Sequence, residues 1–254
     1  MASVLWQELT AEELRARAAA DAIVILPVGS MEQHGPHLPT GVDTILCSAV
    51  CKAAAERVGG EAVVVAPPVW CGMAEHHMAF GGTFTFDIPT YRAVLLALLK
   101  SLERHGFHRV VIVNGHGGNI AALNAFLPDF ARETSLRVLA VSYPDFANKT
   151  VAAMLQDQPG MLHACEVETS LMMAVAPGLV RLDRLSEAYD GETAETRRQG
   201  RRTIARYRSF QERCPSGVWG DARRASREKG EAIVEAIVAA MALRLADRDA
   251  EIWH

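Results

Sequence analysis

The sequence predicts an α/β protein built on a mostly parallel sheet with helices on both faces. Apolar, β-branched runs alternate with helical segments from Ala22 to Tyr143, and these runs are apolar at nearly every position instead of every second one. Such strands are buried on both sides, as parallel sheets in alternating βα chains are. The segments densest in histidine, carboxylate and glycine follow the first and third runs, and ligands in these sheets bind beyond the carboxyl ends of the strands.

The elements follow in order. Thr10 and Glu13 have capping-box spacing, so a short helix is expected after Thr10. AIVILPVG, Ala22 to Gly29, reads as the first strand, and Thr44 to Val58 as a helix of small residues stopped by Gly59 and Gly60. AVVVAPP is a second strand, Pro89 to His105 a helix closed by Gly106, and RVVIVNG a third strand. Ile120 to Glu133 is a helix and LRVLAVSY a fourth strand; Glu166 to Ala176 and Gly230 to Leu245 are two later helices. Ser186 to Lys229 is polar and rich in arginine, including Arg197, Arg198, Arg201, Arg202, Arg223 and Arg224, and is expected to be a solvated or subunit-facing surface. No repeat or linker divides the chain, so one domain over 1–254 is expected.

Composition excludes several classes. The chain has 254 residues, half of them hydrophobic, with a formal net charge of −4, too mild for a nucleic-acid or membrane-surface partner. Its apolar runs fall short of a membrane span, and its first residues lack the basic head and apolar core of a signal peptide. Five cysteines without a CxxC spacing fit a reducing cytoplasm.

The chemistry gathers in three stretches. GSMEQHGPHLPTGVDT, Gly29 to Thr44, holds Glu32, His34, His37 and Asp43. Residues two apart in an extended segment point the same way, so Glu32 and His34 address one point. Asp43 alone would pass for a helix cap, but beside those two it is a candidate bridging carboxylate. VVIVNGHGGN presents His116 at a strand end between glycines, and HACEVETS holds His163, Glu166 and Glu168 near a helix start. Glu32, His34, Asp43, His116 and Glu166 make a nitrogen and oxygen ligand set suited to zinc, manganese or ferrous iron. Five ligands exceed the three or so that one ion needs, which points to two ions about 3.5–4 Å apart.

Rival readings are weaker. The glycine turn fits neither dinucleotide nor P-loop spacing, though a metal-free doubly wound protein could hold an anion or nucleotide there. No GxSxG occurs for a serine nucleophile, and the carboxylate beside Cys165 discourages a thiolate.

The stretches LPVGSMEQHGPHLPTGVDT, PPVWCG with HHMAFGGT, VVIVNGHGGN and HACEVETS, in this order from about Leu26 to Asp183, resemble the creatininase (creatinine amidohydrolase) family. The resemblance implies a three-layer α/β/α domain and a dinuclear metal hydrolase of a C–N amide bond in a small molecule, a cyclic amide or formamide. It also implies a homo-oligomer, often a hexamer. It maps metal ligands onto Glu32, His34, bridging Asp43 and His116, and a proton-moving residue onto His163. Gly118 stands where the family has a fifth, glutamate ligand, so Glu166 is expected to fill the coordination position, with Glu168 a supporting carboxylate of the catalytic site. Gly117 and Pro159 stand where creatininase proper has aromatic residues, so no aromatic clamp for creatinine is expected. The pocket is expected between Val69 to Phe84 and Tyr143 to Cys165, with His77 as a lining residue.

Overall fold

The computed structural model describes residues 3–156, 158–192 and 206–247. One sheet runs β2-β1-β3-β4, with β1 at Ile23–Val28, β2 at Val63–Val65, β3 at Arg109–Asn114 and β4 at Arg137–Ser142. All its pairings are parallel, Ile23 lying opposite Val63 and Arg109, and Arg109 opposite Arg137. These are the expected strands. β2 is shorter than its apolar run because Pro67 and Pro68 have no amide hydrogen to continue the ladder.

Alternation along the strands builds the layers. Ile23, Ile25, Val63, Val65, Val111 and Val113 face a core with helices α2 (Val42–Val58), α6 (Glu166–Val175) and α8 (Arg227–Ala246). Val24, Leu26, Val28, Val110 and Ile112 face the other core, with α3 (Ile88–Arg104) and α4 (Ile120–Glu133). Both cores share one sheet, which gives the three-layer α/β/α arrangement.

Local signals set the helix ends. The capping box of Thr10 and Glu13 opens α1 (Ala11–Ala19), and Asp87 accepts from the Thr90 amide ahead of α3. α8 begins a turn before Gly230 because Ser226 caps it, accepting from the Lys229 amide at 3.2 Å. α2 begins at Val42, so Asp43 lies inside its first turn and caps nothing.

The arginine-rich region departs from expectation. Arg197, Arg198, Arg201 and Arg202 lie outside the described residues. The part that follows is no plain surface: α7 (Phe210–Arg213) buries Phe210, and Val218 and Ala222 pack with Ala164 and Ala188. Trp219 and His163 exchange backbone hydrogen bonds at 2.9 and 3.2 Å. The apolar residues scattered among the arginines carry this docking. Among the described residues no helix is long and apolar enough to cross a membrane.

Gly230 sits where α8 crosses α6, and a β-carbon there would drive into the Ser170 carbonyl and meet Ala174 Cβ at 3.1 Å. Overpacking of this kind costs about 1–3 kcal/mol. Gly230→Ala is therefore expected to lower the melting temperature in a thermal scan, by roughly 2–4 °C for each kcal/mol. An unchanged melting temperature would contradict this packing.

Candidate metal centre

The central strands β1 and β3 end side by side, and their carboxyl ends carry the site. Glu32 and His34 follow β1, and His116 follows β3. Asp43 comes from the first turn of α2, while His163 and Glu168 come from the loop before α6 and its first turn. Close approach requires Gly115: a β-carbon there would lie 2.5 Å from the Asp43 carbonyl oxygen and 2.9 Å from Cys47 Cβ. Asn119 ties the surrounding loops, donating to the Gly29 carbonyl and Asn114 Oδ1, both at 3.1 Å, and accepting from the Met73 amide at 2.9 Å.

Asp43 stands between two imidazoles. Its Oδ1 is 3.2 Å from His34 Nε2 and its Oδ2 is 3.1 Å from His116 Nδ1. Glu32 Oε2 lies 3.1 Å from the same His116 nitrogen and accepts from Ser30 Oγ at 2.9 Å. Glu32 Oε1 faces His77 Nε2 at 3.2 Å and His163 Nδ1 at 3.5 Å. Glu32, His34, Asp43, His116 and Glu168 are all buried.

Backbone carbonyls settle the tautomers. His34 Nδ1 donates to the Glu32 carbonyl at 3.1 Å, His116 Nε2 to the Met73 carbonyl at 3.2 Å and His163 Nε2 to the Gln33 carbonyl at 2.9 Å. The remaining nitrogen of each ring turns its lone pair toward a carboxylate oxygen. Lone pairs facing at these distances need a cation between them, a proton or a metal. Glu32 Oε1, His34 Nε2 and Asp43 Oδ2 make no hydrogen bond in the structure despite full burial. Three overlapping ligand groups, Glu32 with His77 and His163, His34 with His163 and Glu168, and Glu32 with His34 and Asp43, have donor atoms within 4.8 Å of one another. The donor set fits divalent ions.

Protons answer the same need when no metal is bound. Burial pulls His34 down, but Asp43, Glu168 and Glu32 outweigh it and raise its pKa to about 9. Burial opposes charging of His116 too, but Glu32 and Asp43 leave it well above the ordinary imidazole value. Burial lifts Glu168 to about 8 despite the pull of His34. Burial and the neighbouring imidazoles hold His163 well below the ordinary value, and His77 falls to about 2 for the same reasons.

Glu166 requires a correction. Its carboxylate pairs with Lys229 of α8 and lies outside the ligand groups, while Glu168 Oε1 faces His34 Nε2 at 3.9 Å. Helical residues two apart point in different directions. α6 turns Glu168 toward the carboxyl end of the sheet and Glu166 toward α8, so the third carboxylate of the cluster, beside Glu32 and Asp43, is Glu168. Its other oxygen accepts from the Ala164 amide, and Ala164 has a left-handed φ of 52° where the chain turns from His163 into α6. Gly118 leaves no room for a ligand either: its space is taken by the rings of His116 and His76 and by the Met73 carbonyl.

Other residues join the site. Gln33 Oε1 accepts from the Gly35 amide at 2.9 Å, so its Nε2 donates to His77 Nδ1 at 3.0 Å and turns the His77 Nε2–H to Glu32. His37 instead pairs with Thr169 of α6 at 2.7 Å and braces the loop. Cys165 is no thiolate nucleophile: burial and then Glu168 push its thiol up to about 11.

A cavity of about 770 Å³ opens onto the cluster, lined by the expected His76, His77, Pro159 and His163 and also by Phe210, Arg213 and Trp219. Phe210 stacks on His77 with ring centroids 4.4 Å apart and meets His163 edge-on at 4.7 Å. Sequence reasoning missed these residues because they lie within the arginine-rich stretch, read as surface; the aromatic residues in it were the available signal. The glycine turn reads poorly as an anion cradle, since it opens on the same cavity as Glu32, Asp43 and Glu168.

Comparison with known proteins agrees with this architecture. The family model described as creatinine amidohydrolase matches residues 7–245. Creatinine amidohydrolase of Pseudomonas putida is 36% identical over 262 residues, covering 94% of this chain and 95% of that protein. A mycofactocin precursor peptide peptidase of Mycobacterium ulcerans is 32% identical over 225 residues, covering 85% and 81%. A crystal structure of creatinine amidohydrolase (creatininase) superposes with a TM-score of 0.82 at 31% identity, covering 97% of this chain and 98% of that one. A manganese creatininase and a Zn–Zn form of a creatininase mutant superpose at 0.78 and 0.79, with 33% and 31% identity, each over 98% of both chains. With a family match across nearly its whole length and a relative of more than 30% identity, this chain belongs to the creatininase family of amidohydrolases.

Proposed function

We propose that this chain hydrolyses a C–N amide bond, in a cyclic amide or a formamide, with two divalent ions per chain held by Glu32, His34, Asp43, His116 and Glu168. Zinc is the first choice of metal, with manganese and ferrous iron as alternatives. Asp43 carries the reading: its two oxygens face different imidazoles at 3.2 and 3.1 Å, the placement of a carboxylate shared between two ions. Such ions supply Lewis acidity, lowering the pKa of water toward ~7 and polarising a carbonyl oxygen.

The chain's own groups handle protons and shape. His163 lines the cavity and its imidazole is held neutral, so it takes a proton from the attacking water and returns it to the leaving nitrogen. His77, set by Gln33, orients Glu32. Phe210 covers the rings of His77 and His163 and keeps bulk water off them. Gly117 and Pro159 line the cavity without aromatic faces, and the aromatic walls it has are Phe210 and Trp219 instead.

Both cores meet on one sheet, which supports a single domain over 1–254. The family resemblance supports a homo-oligomer, a hexamer, and five free cysteines support a reducing cytoplasm.

Three outcomes are expected. Elemental analysis of protein purified without chelator gives about two ions of zinc, manganese or iron per chain; a value near zero that persists after incubation with these metals sinks the reading. Glu168→Gln lowers the metal content, whereas Glu166→Gln leaves it unchanged and lowers the melting temperature by stranding Lys229; the reverse pattern would restore Glu166 as the ligand. The third concerns pH. His34 at about 9 and Glu168 at about 8 must lose protons to ligate. Metal affinity in competition titrations therefore rises with pH up to about 9, by roughly tenfold per unit for each proton displaced. A flat profile would mean that the cluster is not the binding site.

A further inference from the structure

The cavity is lined by the carboxylates of Glu32, Asp43 and Glu168 and, elsewhere on its wall, by two cations, Lys149 of α5 (Asn148–Ala153) and Arg213 of α7. Neither cation has a carboxylate within ion-pair distance among the described residues. Asp145 shares that wall, but its Oδ1 already accepts from Asn148 Nδ2 at 2.7 Å.

Arg213 is held in place. Its guanidinium carbon lies 5.4 Å from the Trp219 ring centroid and 5.9 Å from that of Phe210, and both rings line the same cavity. Cation–π contacts fix the plane of the fork while leaving its N–H edges open to a ligand. Phe210 in turn rests on His77 and His163. The guanidinium thus stands one aromatic ring beyond the imidazoles of His77 and His163.

We propose that the amide substrate carries an oxyanion group, a carboxylate or a phosphate, gripped by Arg213 with Lys149 assisting, while its amide carbonyl points inward to the cluster. The proposal rests on the amide-hydrolase reading and specifies its substrate class. A planar guanidinium matches both oxyanions in bidentate fashion, and Lys149 adds a point charge. The arrangement fits a substrate whose anion and scissile amide are separated by a spacer spanning the aromatic ring between them.

The test uses metal-loaded protein and a series of N-formyl amino acids, N-formylglycine, N-formyl-β-alanine and N-formyl-γ-aminobutyrate, each against its own primary amide. The phosphate ester of N-formylethanolamine distinguishes phosphate from carboxylate. Turnover and calorimetric binding are read separately. The expected result is an acid of suitable spacer favoured over its amide by roughly tenfold or more, the worth of one charge-assisted contact. Arg213→Gln collapses that ratio and Lys149→Gln reduces it. A preference for acids in binding without turnover upholds the oxyanion site while defeating formamide hydrolysis. Acids, phosphate ester and amides bound equally well by the wild type would overturn the proposal. A preference that survives both substitutions overturns it as well, since the anion is then held elsewhere.

Discussion

Buried negative charge at the carboxyl end of the sheet is the constraint on which the structure depends. Glu32, Asp43 and Glu168 lie out of water within a few ångströms of one another and of four imidazoles. A carboxylate so placed is costly unless positive charge is supplied. Protons drawn to His34 and His116 answer that need, and the two divalent ions proposed for the cluster would answer it with a partner for each unsatisfied oxygen and ring lone pair. The same demand explains why the site is buttressed so heavily by backbone carbonyls and amide side chains.

The buttressing belongs to the fold. Parallel pairing of β1 with β3 ends Val28 and Asn114 side by side, and the turns after them deliver Glu32, His34 and His116 to one place. Gly115 lets the first turn of α2 press against the end of β3, and that contact carries Asp43 between the two imidazoles. Asn119 clamps three loops at once. Core packing on both faces holds the strand ends, so catalytic geometry and stability share the same contacts.

The outer part of the cavity is built differently. Phe210, Arg213 and Trp219 come from a polar, arginine-rich region whose few apolar residues dock on the loop of His163. The carboxylates and imidazoles of the cluster sit after strand ends and at helix starts, whereas Phe210, Arg213 and Trp219 sit on a four-residue helix and the loop after it. Loops accept substitution that strand ends do not, so this part of the cavity is the freer to vary.

The sequence alone determined the layer order and most of the centre. Unbroken apolar runs require strands covered on both faces, and Glu32, His34, Asp43 and His116 stand where such strands must end. It could not choose between Glu166 and Glu168. Both begin the same helix, both are buried, and either could have faced the cluster. Tertiary packing chose: α8 crosses α6 at Gly230 and brings Lys229 to Glu166, which leaves Glu168 on the side toward His34. Phe210 and Arg213 were hidden for a related reason, since a four-residue helix far along the chain acquires a role only where the folded backbone sets it down. Periodicity fixes which residues share a face, but only contact with the neighbouring element decides where that face points.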